Sequence, residues 1–196
     1  MAETRRGRAH GDTRARIIEA AYRTLAEQGY EATTVKEIAR AAEVAPGLVH
    51  YYFRDKDELL ATVLREMAER RLTQDARNRA LLAPREAIAR ALALAQRRVT
   101  EEPGWYRLRY EFFALGLRNA AMTPGVAELL ANGRQGVQAF TAHDSDPDAA
   151  RDAEALAAIL LGALDGLALQ KLVDPDFDLD HAYHTLSELI EREIIH

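Results

Sequence analysis

Lys56 brings an ammonium group to the start of a helix, where unpaired backbone amides and the helix dipole already favour an anion. A nucleic-acid phosphate is an anion of the right kind, against the plainer reading of a solvated surface lysine. Just before it, Thr33, Thr34, Tyr51 and Tyr52 carry hydroxyls that can donate to phosphate oxygens, although residues of these types serve equally well as caps or in packing. Between them lies a group suited to reading bases. Gly47 permits close backbone approach, Leu48 offers an apolar surface for a thymine methyl, and His50 offers a polar contact to a base edge. This is the chemistry of recognition. The chain has no nucleophile elbow, phosphate-binding glycine loop or His-Glu helix signature that would indicate catalysis.

The elements that must position these groups are legible in Thr33 to Leu60, TTVKEIARAAEVAPGLVHYYFRDKDELL. Thr34 and Glu37 form a T-x-x-E capping box, in which each side chain satisfies an orphan amide of a helix start. Val35, Ile38, Ala39 and Ala42 then fall at i, i+3, i+4 and i+7, the apolar stripe of one helix. Glu43 to Ala45 is a turn. Pro46 suits the first position of the next helix, because its missing N–H has no intrahelical partner there. Val49 and Phe53 point inward and leave Gly47, Leu48, His50 and Tyr51 outward, as a helix reading the major groove requires. The segment reads as a helix-turn-helix.

On these residues the chain resembles the TetR family of transcriptional regulators, from about Thr13 to Leu64. The matching stretches are RIIEAAYRTLAEQGYEATTVKEIA, PGLVHYYF and the K-x-x-L of Lys56 to Leu59. The resemblance implies an all-α fold of about nine helices and a phosphate contact for Lys56. It also implies a base-edge contact for Lys36, on the outer face of the second helix. Three positions depart from the family pattern. Glu43 replaces the usual Gly of the turn and is expected to take a left-handed conformation; Ala45 removes the usual Ser or Thr cap; His50 replaces the commoner Tyr.

Composition fits a basic reading head on an acidic body. The chain has 196 residues, 48% of them hydrophobic, and no cysteine, so disulfides and thiolate metal sites are excluded. The formal charge is −5, yet residues 141–196 hold 13 Asp and Glu against 3 Lys and Arg, a net of −10 that leaves +5 for residues 1–140. Arg5, Arg6, Arg8, Arg14 and Arg16 crowd the first 16 residues, which are expected to include a flexible basic arm over 1–12. Residues 13–60 are assigned to the DNA-binding domain and 61–196 to a ligand-binding and dimerisation domain. The N-terminus has no apolar run of signal-peptide type, and a cytoplasmic location is expected.

Helix signals continue to the end of the chain. The first helix is expected from Asp12 or Thr13 to Gln28, and a long one from Asp55 to about Leu82. Others follow over Pro84–Glu102, Trp105–Asn119 and Thr123–Ala142, then a loop at HDSDPDAA, a helix to Val173 and a last helix over Leu179–Ile195. In the sixth, Tyr106, Tyr110, Phe113 and Leu117 share one face, with Trp105 and Arg109 beside it. Such stripes are usually core. The resemblance places a ligand pocket at this helix, so these six residues, with Asp165, are the expected effector site for a mainly apolar or aromatic small molecule. His181 and His184 with Asp178 and Asp180 fall at a spacing that suits a metal, but the acids serve better as caps, and neither a metal nor a cofactor is expected. The last two helices carry more apolar surface than one core face needs. Leu156, Leu160, Ala163 and Leu167 in the eighth, and Tyr183, Leu186, Ile190 and Ile194 in the ninth, are expected to pair across a two-fold axis. The longest apolar run, Ala155 to Val173, carries Asp165 at its centre and reads as an interface helix rather than a membrane span. The function expected is a homodimeric repressor released from a palindromic operator by a small molecule. The alternative is an all-α small-molecule-binding protein or enzyme.

Overall fold

Five of the six prolines lie at the first or second position of a helix, and the sixth, Pro175, follows a helix end. A missing N–H costs nothing at a helix start and prevents continuation past a helix end, so the prolines phase the whole chain. The computed structural model describes the backbone of residues 2–79, 82–141 and 147–194, and the side chains of 12–77, 82–83, 85–139 and 151–192. The described residues form nine helices and no strand: α1 (Ala2–Gln28), α2 (Val35–Ala41), α3 (Pro46–Tyr52), α4 (Lys56–Arg79), α5 (Pro84–Glu101), α6 (Pro103–Arg118), α7 (Thr123–Thr141), α8 (Pro147–Val173) and α9 (Leu179–Ile194).

Three boundaries differ from expectation, the first being that α6 opens at Pro103 and not at Trp105. Residues 2–12, expected as a flexible arm, are the first turns of α1, whose side chains up to residue 11 lie outside the described set. The loop expected at HDSDPDAA ends early, because Pro147 opens α8 in the N-terminal role that proline fills elsewhere in this chain. The rest of that loop, and residues 80 and 81, lie outside the described residues.

The chain divides into two compact units. The first comprises residues 1–67 and 107–129; the second comprises 68–106 and 130–196. In the first unit Ile17, Ile18 and Leu25 of α1, Ile38 of α2, Val49 of α3 and Leu59, Leu60 and Leu64 of α4 are fully buried. Each such side chain contributes about 1.5–3 kcal/mol on removal from water. Leu108 and Phe112 of α6 complete this interior. Gly125 admits Phe112 closely, since a Cβ there would lie 3.1 Å from the ring.

In the second unit α5 packs on α8 and α9 around Ile88, Leu160 and Ile190, with Leu92, Val137, Leu156 and Leu186 against them. Helix α8 has two apolar faces. Ala157, Leu160, Leu161 and Ala168 are buried, while Ile159, Gly162, Leu169 and Val173 form a second, exposed stripe at helical spacing. The stretch Arg151–Val173 is apolar enough to cross a membrane by length and composition, with a mean hydropathy of 1.7, yet only 17% of its most apolar window is buried within the chain.

Candidate nucleic-acid interface and small-molecule cavity

The capping box forms as its spacing predicts. The Glu37 amide donates to Thr34 Oγ1 at 3.3 Å, and the Thr34 amide donates to Glu37 Oε2 at 2.8 Å. Thr34 Oγ1 also donates to the same carboxylate at 2.8 Å. These bonds, the side-chain hydroxyl first and the backbone amide second, hold the Glu37 carboxyl below its ordinary range. Glu43 takes φ 54°, the left-handed conformation that the missing glycine implies. Arg16 of α1, one of the arginines that crowd the first 16 residues, donates from Nη2 to the Ala42 carbonyl at 3.2 Å and ties the turn to α1. Arg14 likewise pairs with Glu66 at 2.6 Å and lies over the Phe53 ring. Neither role has a local sequence signal, because both partners are distant in the chain.

Helix α3 starts on Ala45 without a side-chain cap, its first turn set by Pro46. Its outer face carries exposed Pro46, Gly47, His50 and Tyr51 and half-buried Leu48, with nothing within 4 Å of a Cβ placed on Gly47. Tyr51 is 69% exposed and stands edge-on to half-buried Tyr52, with ring centroids 5.2 Å apart. Lys36 is exposed on α2. Two expected phosphate donors are differently placed. Thr33 is buried, and its hydroxyl donates to the Gly29 carbonyl at 2.7 Å, so it closes the turn after α1 instead of facing solvent. Thr34 spends its hydroxyl proton on Glu37. Lys56 donates to the carbonyls of Tyr30 at 2.7 Å and Thr33 at 3.0 Å and lies 4.0 Å from the Tyr30 ring centroid. An ammonium has three N–H bonds, so one remains for a phosphate.

One contact joins α6 to this region. The Tyr30 amide donates to Glu111 Oε2 at 2.8 Å, directly after Gly29 at φ 80°, where a Cβ would collide with Glu111 Oε1 at 2.9 Å. Sequence reasoning assigned Glu111 to the ligand domain and missed this role. The signal available was Gly29 itself, which marks a turn but not what approaches it.

The second unit holds a half-open cavity of about 400 Å³. Its wall is hydrocarbon from α4, α5, α7, α8 and α9, including Leu72, Leu92, Val137, Leu160 and Ile190. Among the described residues, Asp75 and Arg98 are the two charged ones that line it. They form a bidentate pair, with Arg98 Nη1 and Nη2 donating to Asp75 Oδ2 and Oδ1 at 2.9 and 2.8 Å. Burial alone would lower the Arg98 pKa, but the hydrogen bonds and charge of Asp75 more than offset it, and Arg98 stays protonated. None of the seven residues expected to bind a ligand lines this cavity. Trp105 is buried under Arg71, whose guanidinium lies 4.4 Å from its ring centroid; Tyr106 is buried, and Asp165 is half-buried on α8. Arg109, buried over the Phe113 ring, and half-buried Tyr110 belong with Phe113 to the first unit, and Leu117 there is 88% exposed. The buried side chains of α6 are Trp105, Tyr106, Leu108, Arg109 and Phe112, so of the expected face Tyr106 is buried, while Tyr110 and Phe113 are half-buried and Leu117 is exposed.

The interface residues also separate. Leu160, Leu186 and Ile190 line the cavity, and Tyr183 is buried within the protomer. Leu156, Ala163 and Leu167 are half-buried, and the Ile194 side chain lies outside the described set. Among the described residues of α8 and α9, the exposed large apolar side chains are Ile159, Leu169 and Val173 of α8 and Leu189 of α9, the last 53% exposed.

Residues 17–63 match the family model described as "Bacterial regulatory proteins, tetR family", and residues 83–192, more than half the chain, match "Tetracyclin repressor-like, C-terminal domain". The chain belongs to the TetR family. Within it, the HTH-type transcriptional regulator HbdR of Aromatoleum sp. strain CIB is 43% identical over 58 residues, 30% of this chain and 25% of that protein. The chain thus spans about a quarter of that relative's length in the match. A transcriptional regulator from Rhodococcus sp. Rha1 superposes with a TM-score of 0.70 at 25% identity, covering 91% of this chain and 95% of that one. FadR from Bacillus subtilis, solved in complex with stearoyl-CoA, shares the fold at 18% identity and a TM-score of 0.70, covering 90% and 96%. The Asp178 carboxylate accepts from the His181 amide at 2.9 Å, the capping role expected for the acids of α9 in this TetR chain.

Proposed function

We propose that the protein is a homodimeric transcriptional repressor that binds operator DNA through α3 and leaves it when a small molecule fills the second-unit cavity. The observation that carries this reading is the outward face of α3, where Gly47, His50 and Tyr51 are presented on a short helix with its inner residue, Val49, buried. A face of that composition has no use inside its own chain and suits a major groove. Leu48, Tyr52 and Lys36 border it, and the third N–H of Lys56 is a phosphate donor.

Support for an effector comes from the mainly apolar, half-open cavity, and from FadR as a regulator of the same fold solved with stearoyl-CoA. The ligand must bind the DNA-free conformation more tightly, because equal affinity for both would shift nothing. Support for a dimer comes from the exposed stripe Ile159, Gly162, Leu169 and Val173 on α8. A dimer carries two copies of α3, as an operator with half-sites in grooves about 34 Å apart requires. Such a protein works in the cytoplasm, beside the chromosome.

Selection of bound genomic fragments tests the reading directly. The expected result is a partly palindromic operator whose affinity falls steeply with salt, with His50→Ala changing preference among operator variants and Lys36→Ala weakening binding. Absence of any sequence preference at moderate salt would sink it.

A further inference from the structure

The cavity wall carries one negative and one positive group, Asp75 on α4 and Arg98 on α5, and they neutralise each other face to face. The remaining lining is hydrocarbon, glycine and the exposed Gln135. We propose that the Asp75–Arg98 pair is the specificity determinant of this cavity and selects an uncharged, hydrocarbon-bodied ligand whose head group both donates and accepts hydrogen bonds, such as an alcohol or primary amide. The inference rests on the effector reading above and adds the chemical class of the ligand.

The argument is one of charge balance and unused valence. A carboxylate ligand entering this wall must either displace Asp75 from Arg98 or sit beside it. The first leaves Asp75 uncompensated among apolar side chains; the second brings two anions together on one guanidinium. An ammonium ligand meets the mirror-image problem with Arg98. Each arrangement buries an uncompensated charge in a low-dielectric cavity. A hydroxyl avoids both. Each Asp75 oxygen accepts one bond from Arg98 and retains a further acceptor site, so it can take the hydroxyl proton. The guanidinium spends two of its five N–H groups on Asp75, and the hydroxyl oxygen can accept from another. The hydrocarbon tail then lies against Leu72, Leu92, Val137 and Ile190. The volume of about 400 Å³ is at the small end for ligand sites, which suits a medium-chain or single-ring body.

The test uses full-length protein at neutral pH and displacement of the fluorescent probe N-phenyl-1-naphthylamine. The competitors are 1-octanol, octanoate, octylamine and 1-methoxyheptane, which resembles 1-octanol in size but cannot donate. In the wild type, 1-octanol is expected to compete best and 1-methoxyheptane less well. Asp75→Asn, which makes the wall net positive, is expected to improve octanoate by at least about tenfold, and Arg98→Met to do the same for octylamine. The double variant Asp75→Leu/Arg98→Met keeps the wall neutral and guards against misfolding of the single variants. In it 1-octanol is expected to lose its advantage over 1-methoxyheptane. Octanoate competing best in the wild type overturns the proposal, as does a double variant that still prefers the alcohol. Binding in the expected order without any change in operator affinity supports the pair as the determinant and overturns only the effector reading. If the probe and all competitors fail to bind the folded wild type, both fall together.

Discussion

Glu43 holds φ 54° between two helices whose relative position decides what α3 can reach. A side chain with a Cβ pays about 1–2 kcal/mol for that conformation, and glycine does not. Glu43→Gly is therefore expected to raise stability by about 0.5–1 kcal/mol, after the entropy glycine loses on folding, with operator affinity little changed. Urea denaturation reads this, and an unchanged or lower midpoint would contradict the strain argument. The helix caps give a pH dependence of definite sign. Asp55 is held below its ordinary range by the Glu58 amide first and the Arg54 guanidinium second, and Glu37 is held low by Thr34. A folded pKa below the unfolded one adds stability above the unfolded value and loses it as pH falls through the folded value. The starts of α2 and α4 are thus expected to weaken as pH drops below about 4. The protection of the Thr34 and Glu58 amides against exchange should fall there, less so in Glu37→Gln and Asp55→Asn, whose titrating caps are already lost. Lys56 holds two carbonyls and is the proposed phosphate donor, so Lys56→Met is expected to lower both operator affinity and stability, the latter by about 1–2 kcal/mol. A variant with full stability and weakened binding would assign Lys56 to phosphate alone.

At the scale of elements, α6 helps fill the first unit with Leu108 and Phe112 and reaches the turn after α1 with one carboxylate. Glu111 satisfies the Tyr30 amide at the turn between α1 and α2, and Gly29 leaves room for it. Glu111→Ala removes that partner and is expected to cost about 1–3 kcal/mol while speeding exchange of the Tyr30 amide. If Tyr30 exchange is unchanged, water replaces the carboxylate and the contact does not hold the turn. The α6 stripe also shows how a periodicity argument can be correct in kind and displaced in phase. Aromatics on adjacent positions support two faces at once, and the face that packs is chosen by what lies opposite. Here that choice buries Trp105 and Phe112 and leaves Leu117 in solvent.

For the whole molecule, the exposed face of α8 is the feature with most consequence. Ile159 and Val173, 67% and 76% exposed, lie on a stripe where glycines at 162 and 166 have open space beside them. Ile159→Glu places an unpaired charge in the proposed interface, and sedimentation is expected to show monomers at micromolar concentration with operator affinity reduced. A wild-type protein that is itself monomeric would remove the basis for two-site DNA binding. Leu160→Glu, by contrast, strikes the cavity wall and is expected to destabilise the protomer before it affects assembly.

The sequence by itself determined what depends on neighbours three or four residues apart. The capping box, the helix starts at Pro46, Pro84 and Thr123-Pro124 and the outward face of α3 are set by local geometry, and the family resemblance marked Glu43 as left-handed. The tertiary structure decided which of two apolar faces turns inward. Leu160 and Ile190 line a cavity because α5 covers that side of α8 and α9, while Ile159 on the same helix remains outside. It also decided the long-range polar partners: Arg16 with the turn, Glu111 with Tyr30, and Asp75 with Arg98. No spacing rule predicts these pairs, because a charged side chain finds its partner only after burial of the apolar core has brought distant segments together.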